Sequence, residues 1–523
     1  MKGDDMTVEE MYNNEYEFED DEDDDSDWDP SAVSDHNNVV EIPKWFCINC
    51  TWPNIGHDFH CDLCGEHRES GILQRGFLAS SLHPAEQGLA QNGADVAVAL
   101  QDPSLQSIGS DNRTAIGFDE RMLLHEEVVQ KSHPHPERSD RLRAIAASLA
   151  ATGIFPGRCY PIPPREITRE ELLMVHSLEN IEAVELTSQV FSSYFTSDTY
   201  ANQNSARAAR LAAGLCFDLA AAIFSGSVKN GFALVRPPGH HAGVKQAMGF
   251  CLHNNAAIAA LAAQNAGAKK VLIIDWDVHH GNGTQEIFDK NKSVCFHGML
   301  NFYSNLLLYF RDIGVLDIYN IYFLQVGTMG AEGYCVNVPW SRGGVGDNDY
   351  VFAFQQVVLP IVSEFDPDFT IISAGFDAAR GDPLGRCDIT PSGYAQMTQM
   401  CSDLSGGKLL VILEGGYNLR SISSSATAVI KVLLGENPRH SMEQVVIPTK
   451  SGLRTVLEVL EVQLNYWPSL KSKLSKLQSD WGLYALHDKK QVKKKKRRAK
   501  QLPIWWKLGR KRLLYRLWCK KLS

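Results

Sequence analysis

The chain has 523 residues, 44% of them hydrophobic, which suffices for one large core of about 300–400 residues with accessory segments. Its first 30 residues are acidic and no run reaches the roughly 18 uncharged apolar residues of a membrane span, so neither a secretory signal nor a transmembrane segment is expected, and the 12 cysteines read as reduced. The net charge of −11 conceals two opposed ends, 15 acids against one lysine in Met1–Asp29 and 16 bases without an acid in Lys489–Ser523, around an acidic body suited to a basic partner.

Residues 1–40 hold too few apolar positions to bury and are expected to be disordered. Within 41–70, Cys47 and Cys50 form one C-x2-C pair and Cys61 and Cys64 a second, ten residues on. Four thiolates at that spacing fit one tetrahedral structural zinc. So short a segment has no core, and the metal would supply its folding free energy. Residues 71–113 mix Gly, Ser, Gln, Asn and Asp without periodicity and read as a linker. A large domain is expected over 114–440, a helical extension over 441–486 and a basic tail over 487–523.

Helical spacing marks Asp140–Ala151, Glu170–Phe191 and the alanine-rich Asn204–Phe224. Phe232–Val235 reads as a strand running into Arg236-Pro237-Pro238-Gly239-His240-His241-Ala242, where Pro-Pro-Gly imposes an irregular loop presenting two histidines. Gly249-Phe250-Cys251-Leu252-His253-Asn254-Asn255 leads into another alanine-rich helix. Val271–Ile274 is a short apolar run, β-branched at three of four positions, as suits a strand buried on both faces. It ends in Asp275-Trp276-Asp277-Val278-His279-His280-Gly281-Asn282-Gly283, where alternation would point Asp277 and His279 to one side of an extended backbone. Phe369–Ala374 and Leu409–Leu413 are further strands, ending at Asp377 and at Glu414-Gly415-Gly416-Tyr417-Asn418. Strands with polar ends and helices between them argue an α/β fold, a parallel sheet flanked by helices. Ligands bind at the carboxyl ends of such strands. Taken together, those ends supply two carboxylates and an imidazole for a divalent ion, histidine bases for a water, and a phenol for an oxyanion: the parts for metal-assisted hydrolysis.

The motifs R-P-P-G-H-H-A, G-F-C-x-x-N-N, D-W-D-V-H-H-G-N-G-T, S-A-G-F-D-A and E-G-G-Y-N, spread over Ile116–Glu436, resemble the zinc-dependent histone deacetylases of the arginase/deacetylase fold. Asn282, where class I members carry Asp, is similar to class II. The resemblance implies that Asp277, His279 and Asp377 hold the catalytic Zn²⁺. It implies further that His241 is the general base and acid, that His240 is its electrostatic partner held by Asp275, and that Tyr417 donates to the oxyanion. Gly249 and Phe250 would line the acyl-lysine channel, Asp198 would grip the substrate backbone, and K⁺ would bind backbone near Asp275–His279. Upstream, Trp45, the four cysteines and Asn54 resemble the RanBP2-type zinc finger, whose members bind ubiquitin or RNA. No arginine lies in Ile55–His60, and Thr51-Trp52 with Leu63 favour a protein ligand.

One stretch departs from the family pattern. Between Ser304 and Val326, 15 of 23 residues are apolar where the family has a polar, glycine-rich loop forming the second channel wall beside Phe302. Such a run over Ser304–Met329, between matching flanks, reads as retained intron or a gene-model error, with a helical insertion folded over the site as the alternative. The six bases Lys493–Arg498 read first as nuclear targeting, with nucleic-acid or anionic-membrane contact as the competitor. Leu453–Leu464 has helical apolar spacing and leaves open a partner helix, a second subunit in a homo-oligomer, or packing on the catalytic domain. The expectation is therefore a nuclear or shuttling zinc deacetylase acting on acetylated histone tails with corepressor or transcription-factor partners. An acetylpolyamine amidohydrolase and a catalytically silent scaffold stand as alternatives, and an arginase-like pair of manganese ions lacks ligands.

Overall fold

The computed structural model describes residues 113–129, 134–301, 325–341, 343–438 and 446–479, together with the two-residue strands Trp45–Phe46 and Pro53–Asn54. Those two strands pair antiparallel, Trp45 opposite Asn54. Cys47, Cys50, Cys61 and Cys64, both charged ends and residues 302–324 lie outside the described residues.

Eight strands build the central sheet: β1 (Thr114–Gly117), β2 (Tyr160–Pro161), β3 (Asn230–Ala233), β4 (Val271–Asp275), β5 (Val294–Asn301), β6 (Cys335–Trp340), β7 (Phe369–Ala374) and β8 (Leu409–Leu413). They lie in the order β6-β5-β4-β7-β8-β3-β1-β2, and every pairing is parallel. β4, β7 and β8 are buried along their whole length. Each fully buried Val, Leu or Ile contributes about 1.5–3 kcal/mol, which explains why these runs carry almost no polar residue before their last position. Helix Ser205–Phe224 lies over β3 and β8, helix Asn255–Asn265 over β4 and β7, and the two pack against each other. Their alanines permit that close approach. Asn254 caps the second helix by accepting the Ala257 N–H at 2.9 Å, and Asn418 caps helix Leu419–Leu433.

The four strands whose ends carry the motifs, β4, β7, β8 and β3, are consecutive in the sheet. Sequence-distant loops thereby meet at one place. β5 and β6, not assigned from sequence, extend the sheet on the β4 side, and β3 starts two residues before the expected Phe232.

The helix expected over Glu170–Phe191 is interrupted. Arg169–Leu172 and Leu178–Leu186 are separate helices, followed by a hairpin of Ser193–Thr196 and Thr199–Ala201. Tertiary hydrogen bonds override the helical spacing: His176 Nδ1 lies 2.9 Å from the Gly243 carbonyl, its Nε2 accepts the Asn254 N–H at 2.9 Å, and the Ser177 N–H donates to Val244. Helix Lys450–Gln463 packs along β6, burying Leu453, Val456, Val459 and Leu460 within the chain. Thr449 anchors its start on Asp349, and Trp467 Nε1 donates to the Gly333 carbonyl at 2.8 Å beyond its end. Among the described residues no helix is long and apolar enough to cross a membrane.

His253 stands apart. It is buried beside His176, ring centroids 5.4 Å apart, and neither ring nitrogen has a hydrogen-bond partner among the described residues. Burial, with His176 and Arg210 nearby, pushes its pKa well below the ordinary histidine value. His253→Leu, close in volume, is expected to raise stability by about 1–2 kcal/mol, read as a higher urea midpoint. The unfolded state takes up a proton at His253 below about pH 6.5 that the folded state refuses, so stability falls on acidification and the variant should lose part of that dependence. An unchanged midpoint at pH 7 and pH 5 would show that the imidazole is not orphaned.

Candidate active site

β4 delivers Asp275 at its last position and the chain then bends through Asp277–His279. Asp277 and His279 do converge, though not by strand alternation: the His279 N–H donates to Asp277 Oδ1 at 2.9 Å, an aspartate turn that folds the histidine back over the carboxylate. β7 brings Asp377 to the same point. His279 Nδ1 lies 3.1 Å from Asp277 Oδ1 and 2.9 Å from Asp377 Oδ2. The outer oxygens are fixed by backbone, Asp377 Oδ1 accepting from Val278 at 2.9 Å and Asp277 Oδ2 from Gly415 at 3.0 Å. Glycine is obligatory around them. A Cβ on Gly375 would stand 2.0 Å from Asp277 Oδ2, and one on Gly415 2.5 Å from Asp377 Oδ2.

The donor atoms of Asp277, His279 and Asp377 all lie within 4.8 Å of one another. Ligand atoms at 2.0–2.2 Å from a tetrahedral zinc are roughly 3.3–3.6 Å apart, so two carboxylates and an imidazole at these separations fit a catalytic zinc with its fourth position open. The charges agree. Burial disfavours a charged His279, but hydrogen bonds to Asp277 and Asp377 outweigh it and raise its pKa to about 10, the mark of a site that calls for a cation. Burial would likewise raise Asp277, yet His240 and His279 hold it well below the carboxylate range.

The Pro-Pro-Gly loop after β3 places two rings beside this cluster, His240 and His241, with centroids 4.0 Å apart. Glu414, at the end of β8, fixes that loop: its Oε2 accepts the N–H groups of Gly239 and His240 at 2.6 and 3.1 Å, and its Oε1 accepts Ser373 Oγ at 2.8 Å. The two histidines have different partners. His240 Nδ1 lies 3.0 Å from Asp275 Oδ2, with its Nε2 3.8 Å from Asp277. Burial opposes a charge there, but Asp277 and Asp275 prevail and raise the His240 pKa well above normal. His241 Nδ1 instead lies 2.6 Å from the amide oxygen of Asn282, whose Nδ2 points to Met248 Sδ. With Nδ1–H donating to Asn282, Nε2 keeps its lone pair. Burial and the charges of His240 and His279 lower the His241 pKa.

Tyr417 closes the far side. Its backbone N–H donates to Asp382 Oδ2 at 2.7 Å, and its ring meets that of Phe250 edge-on at 5.8 Å. Burial and the Asp377 and Asp277 charges keep its phenol neutral. Gly249 and Phe250 both have left-handed backbone, φ 57° and 69°, and a Cβ on Gly249 would stand 2.5 Å from the His241 ring. Asp198 sits at the hairpin tip, Oδ1 accepting from Thr196 and Thr199, and the Thr199 hydroxyl also accepts the Phe250 N–H at 3.0 Å. His135 Nε2, 2.9 Å from the Asp198 carbonyl, joins that tip to Phe250, against which the ring packs edge-on.

Beneath these loops lies a charged group that sequence reading passed over. Glu137, Arg141 and Arg236 have fully buried side chains. Glu137 Oε1 accepts from Arg141 Nη1 and Arg236 Nε, both at 3.0 Å, and its Oε2 accepts from Arg236 Nη2 at 2.7 Å and Tyr200 at 3.0 Å. Arg141 Nε donates to the Gly416 carbonyl at 2.6 Å and its Nη2 to that of Glu414. One buried carboxylate thus ties the histidine loop, which starts at Arg236, to the loop carrying Tyr417.

Residues 135–433 match the Histone deacetylase domain model, more than half of the chain. The chain belongs to the histone deacetylase family. The family is zinc-dependent in general, and its members are hydrolases. This histone deacetylase is 60% identical to Histone deacetylase 15 of Arabidopsis thaliana over 518 residues, 98% of this chain and 88% of that protein. A crystal structure of the HDA15 HD domain aligns with a TM-score of 0.65 and 68% identity, covering 70% of this chain and 99% of the other. Histone deacetylase HDA1 of Saccharomyces cerevisiae is 38% identical over 379 residues, 68% of this chain but 53% of that protein. The eight-stranded parallel sheet flanked by helices accords with the arginase/deacetylase fold.

Of the catalytic-domain residues singled out from sequence, His240, His241, Asp275, Asp277, His279 and Asp377 meet in one cluster, Gly249, Phe250 and Tyr417 lie around it, and Asp198 is joined to it through Thr199 and the Phe250 N–H. Phe302 lies outside the described residues; Asn301 before it donates its N–H to the Val278 carbonyl at 2.7 Å.

Proposed function

We propose that this chain hydrolyses N6-acetyl-lysine on histone tails to lysine and acetate, in the nucleus and in the service of transcriptional repression. The observation that carries the reading is the pairing of a three-ligand cluster with two histidines of opposite electrostatic character, one held by a carboxylate and one by an amide. Asp277, His279 and Asp377 would hold the catalytic zinc, and when bound it polarises the acetyl carbonyl and lowers the pKa of the reacting water. His241 Nε2, kept unprotonated by its surroundings, removes the proton from the water and returns it to the leaving lysine nitrogen. His240, positive against Asp275, stabilises the negative charge that develops beside it. The Tyr417 hydroxyl donates to the oxyanion, Phe250 bounds the acyl-lysine channel and Asp198 holds the peptide backbone.

A second zinc on Cys47, Cys50, Cys61 and Cys64, and a protein ligand for that finger, belong to the same proposal. The test is turnover by the full chain, its intact mass confirming residues 304–329, on an acetylated histone-tail peptide against an acetylpolyamine, with zinc counted per chain. Two zinc ions with preference for the peptide are expected. Preference for the polyamine would replace the substrate class, and two zinc ions without turnover would make the chain a scaffold silenced by the apolar stretch.

A further inference from the structure

The Asp198 carboxylate is held from one side. It stands in the turn Ser197-Asp198, and the two threonines that flank the turn, Thr196 and Thr199, face each other across the hairpin. Both hydroxyls are directed at the same carboxylate oxygen. Thr196 Oγ1 lies 2.5 Å from Asp198 Oδ1 and Thr199 Oγ1 donates to it at 3.0 Å, the two hydroxyls being 2.7 Å apart. Asp198 Oδ2 has no partner among the described residues and is the oxygen left for a ligand. Asp198 is half-buried, whereas Thr199 is fully buried.

The Thr199 hydroxyl has a second bond, accepting the Phe250 N–H at 3.0 Å. That N–H is fixed in direction. Phe250 has left-handed backbone, φ 69°, inside a turn closed by reciprocal bonds, Met248 N–H to the Cys251 carbonyl at 3.1 Å and Cys251 N–H to the Met248 carbonyl at 3.0 Å. Thr196 belongs to the hairpin of Asp198 and moves with it, so of the two hydroxyls it is that of Thr199 which ties the carboxylate to an element outside the hairpin. The main chain of the tip is held separately. His135 Nε2 faces the Asp198 carbonyl at 2.9 Å and therefore carries the ring proton, which leaves Nδ1 to accept the Glu137 N–H at 3.1 Å. The same ring packs edge-on against Phe250 and Tyr200, with centroids at 4.6 and 4.7 Å. Loss of the Thr199 hydroxyl thus frees the carboxylate to rotate without releasing the tip.

We propose that Thr199 is a positioning residue for peptide binding, a role that rests on the reading above that Asp198 holds the substrate backbone. Its hydroxyl sets the rotation of the Asp198 carboxylate relative to the Phe250 wall, so that Oδ2 is already turned toward the backbone N–H groups of an acetyl-lysine peptide. Direction is what this support supplies. A backbone N–H bonds well only along its own axis, and a carboxylate fixed beforehand loses no rotamer freedom when the peptide arrives. Attraction for a free ammonium would need no such fixing, because it depends on distance far more than on angle. The arrangement therefore favours a ligand that brings peptide N–H groups to the channel over an acetylated amine that brings none.

The experiment is anisotropy of a fluorescein-labelled acetyl-lysine histone-tail peptide with the zinc-loaded full chain, carrying His241→Ala throughout so that the peptide is not consumed. Thr199→Val, equal in shape, is expected to raise Kd by about 5–20-fold, and Thr199→Ser, which keeps the hydroxyl, by less than about twofold. Asp198→Ala should weaken binding at least as much as Thr199→Val. Adding Thr199→Val to Asp198→Ala should then change nothing further, since a hydroxyl that acts through the carboxylate has nothing left to position. Thermal midpoints are read alongside, and if Thr199→Val does not fold, Thr199→Cys, similar in volume and a weak donor, replaces it with the same expected direction. Parent-like affinity of Thr199→Val beside a weakened Asp198→Ala would overturn the role of Thr199 and leave the substrate grip standing. Equal weakening by Thr199→Ser and Thr199→Val, or further weakening of the Asp198→Ala chain, would overturn it as well, by showing that Thr199 acts through packing or through the channel wall. Parent-like affinity of Asp198→Ala would overturn the grip and its support together.

Discussion

Replacing His241 with alanine is expected to lower kcat on an acetyl-lysine peptide by about 10²–10⁴-fold while bound zinc and thermal midpoint stay as in the parent. The expectation follows from the unequal partners of the two rings. A proton acceptor must offer a free lone pair near neutral pH, and His241 does so because an amide oxygen holds its Nδ1–H while burial and neighbouring positive charge oppose its protonation. His240 cannot, since Asp277 and Asp275 favour its charged form against burial. His240→Ala should therefore act through charge and loop position, with a weaker effect on the acid limb of the pH profile. Asn282→Asp gives the sharper test. A carboxylate against Nδ1 favours the imidazolium, so the His241 pKa rises and the acid limb of kcat/KM moves to higher pH by about one unit or more. If His240→Ala abolishes turnover while His241→Ala retains it, or if Asn282→Asp leaves the acid limb in place, the assignment of the base is wrong.

The legible and illegible parts of this chain divide on a physical line. Phe369–Ala374 and Leu409–Leu413 are read from sequence at their true bounds, because a strand buried on both faces is largely apolar, the buried Thr370 and Ser373 hydroxyls being hydrogen-bonded to Ser405 and Glu414. His240, His241, Asp277, His279, Asp377 and Tyr417 are equally legible, since each sits within a few residues of such an end in a parallel sheet. Glu137, Arg141 and Arg236 carry no comparable local signal. Glu137 meets Arg236 across 99 positions, and Arg141 meets Gly416 across 275, so nothing in their neighbours announces that all three are buried. Asp382 and Glu414 are hidden likewise, their work being to accept backbone N–H groups from other loops. The only available hint was charge placed beside proline, as in His135-Pro136-Glu137 and Arg236-Pro237, where a surface residue needs no such rigid frame. The broken helix at His176 has the same origin: helical spacing is real there, but distant carbonyls and amides outbid it.

Glu137→Ala is expected to destabilise the fold by about 3–5 kcal/mol, the cost of leaving buried guanidinium charge without its counter-ion. Burial alone would raise the Glu137 pKa, but Arg236 and Arg141, the larger influence together, hold it well below the ordinary value. A carboxylate depressed in this way stabilises the fold fully above its unfolded pKa of about 4.3 and loses that contribution only as pH falls below it. The urea midpoint of the parent should therefore be flat near neutrality and drop in acid, while that of Glu137→Ala should be low throughout with the acid drop diminished. Function supplies a second readout. Arg141 holds the carbonyls of Glu414 and Gly416, and Arg236 opens the histidine loop, so the two catalytic loops share one anchor. Glu137→Gln keeps the shape and part of the hydrogen bonding but removes the charge. Assayed well below its unfolding transition, it should lose kcat, because Tyr417 and His241 move relative to each other, and KM should rise with it, because Tyr200 of the Asp198 hairpin also donates to Glu137 Oε2. A Glu137→Gln protein with parental kcat and midpoint would mean that the two arginines are satisfied by carbonyl groups alone and that the loops are set independently.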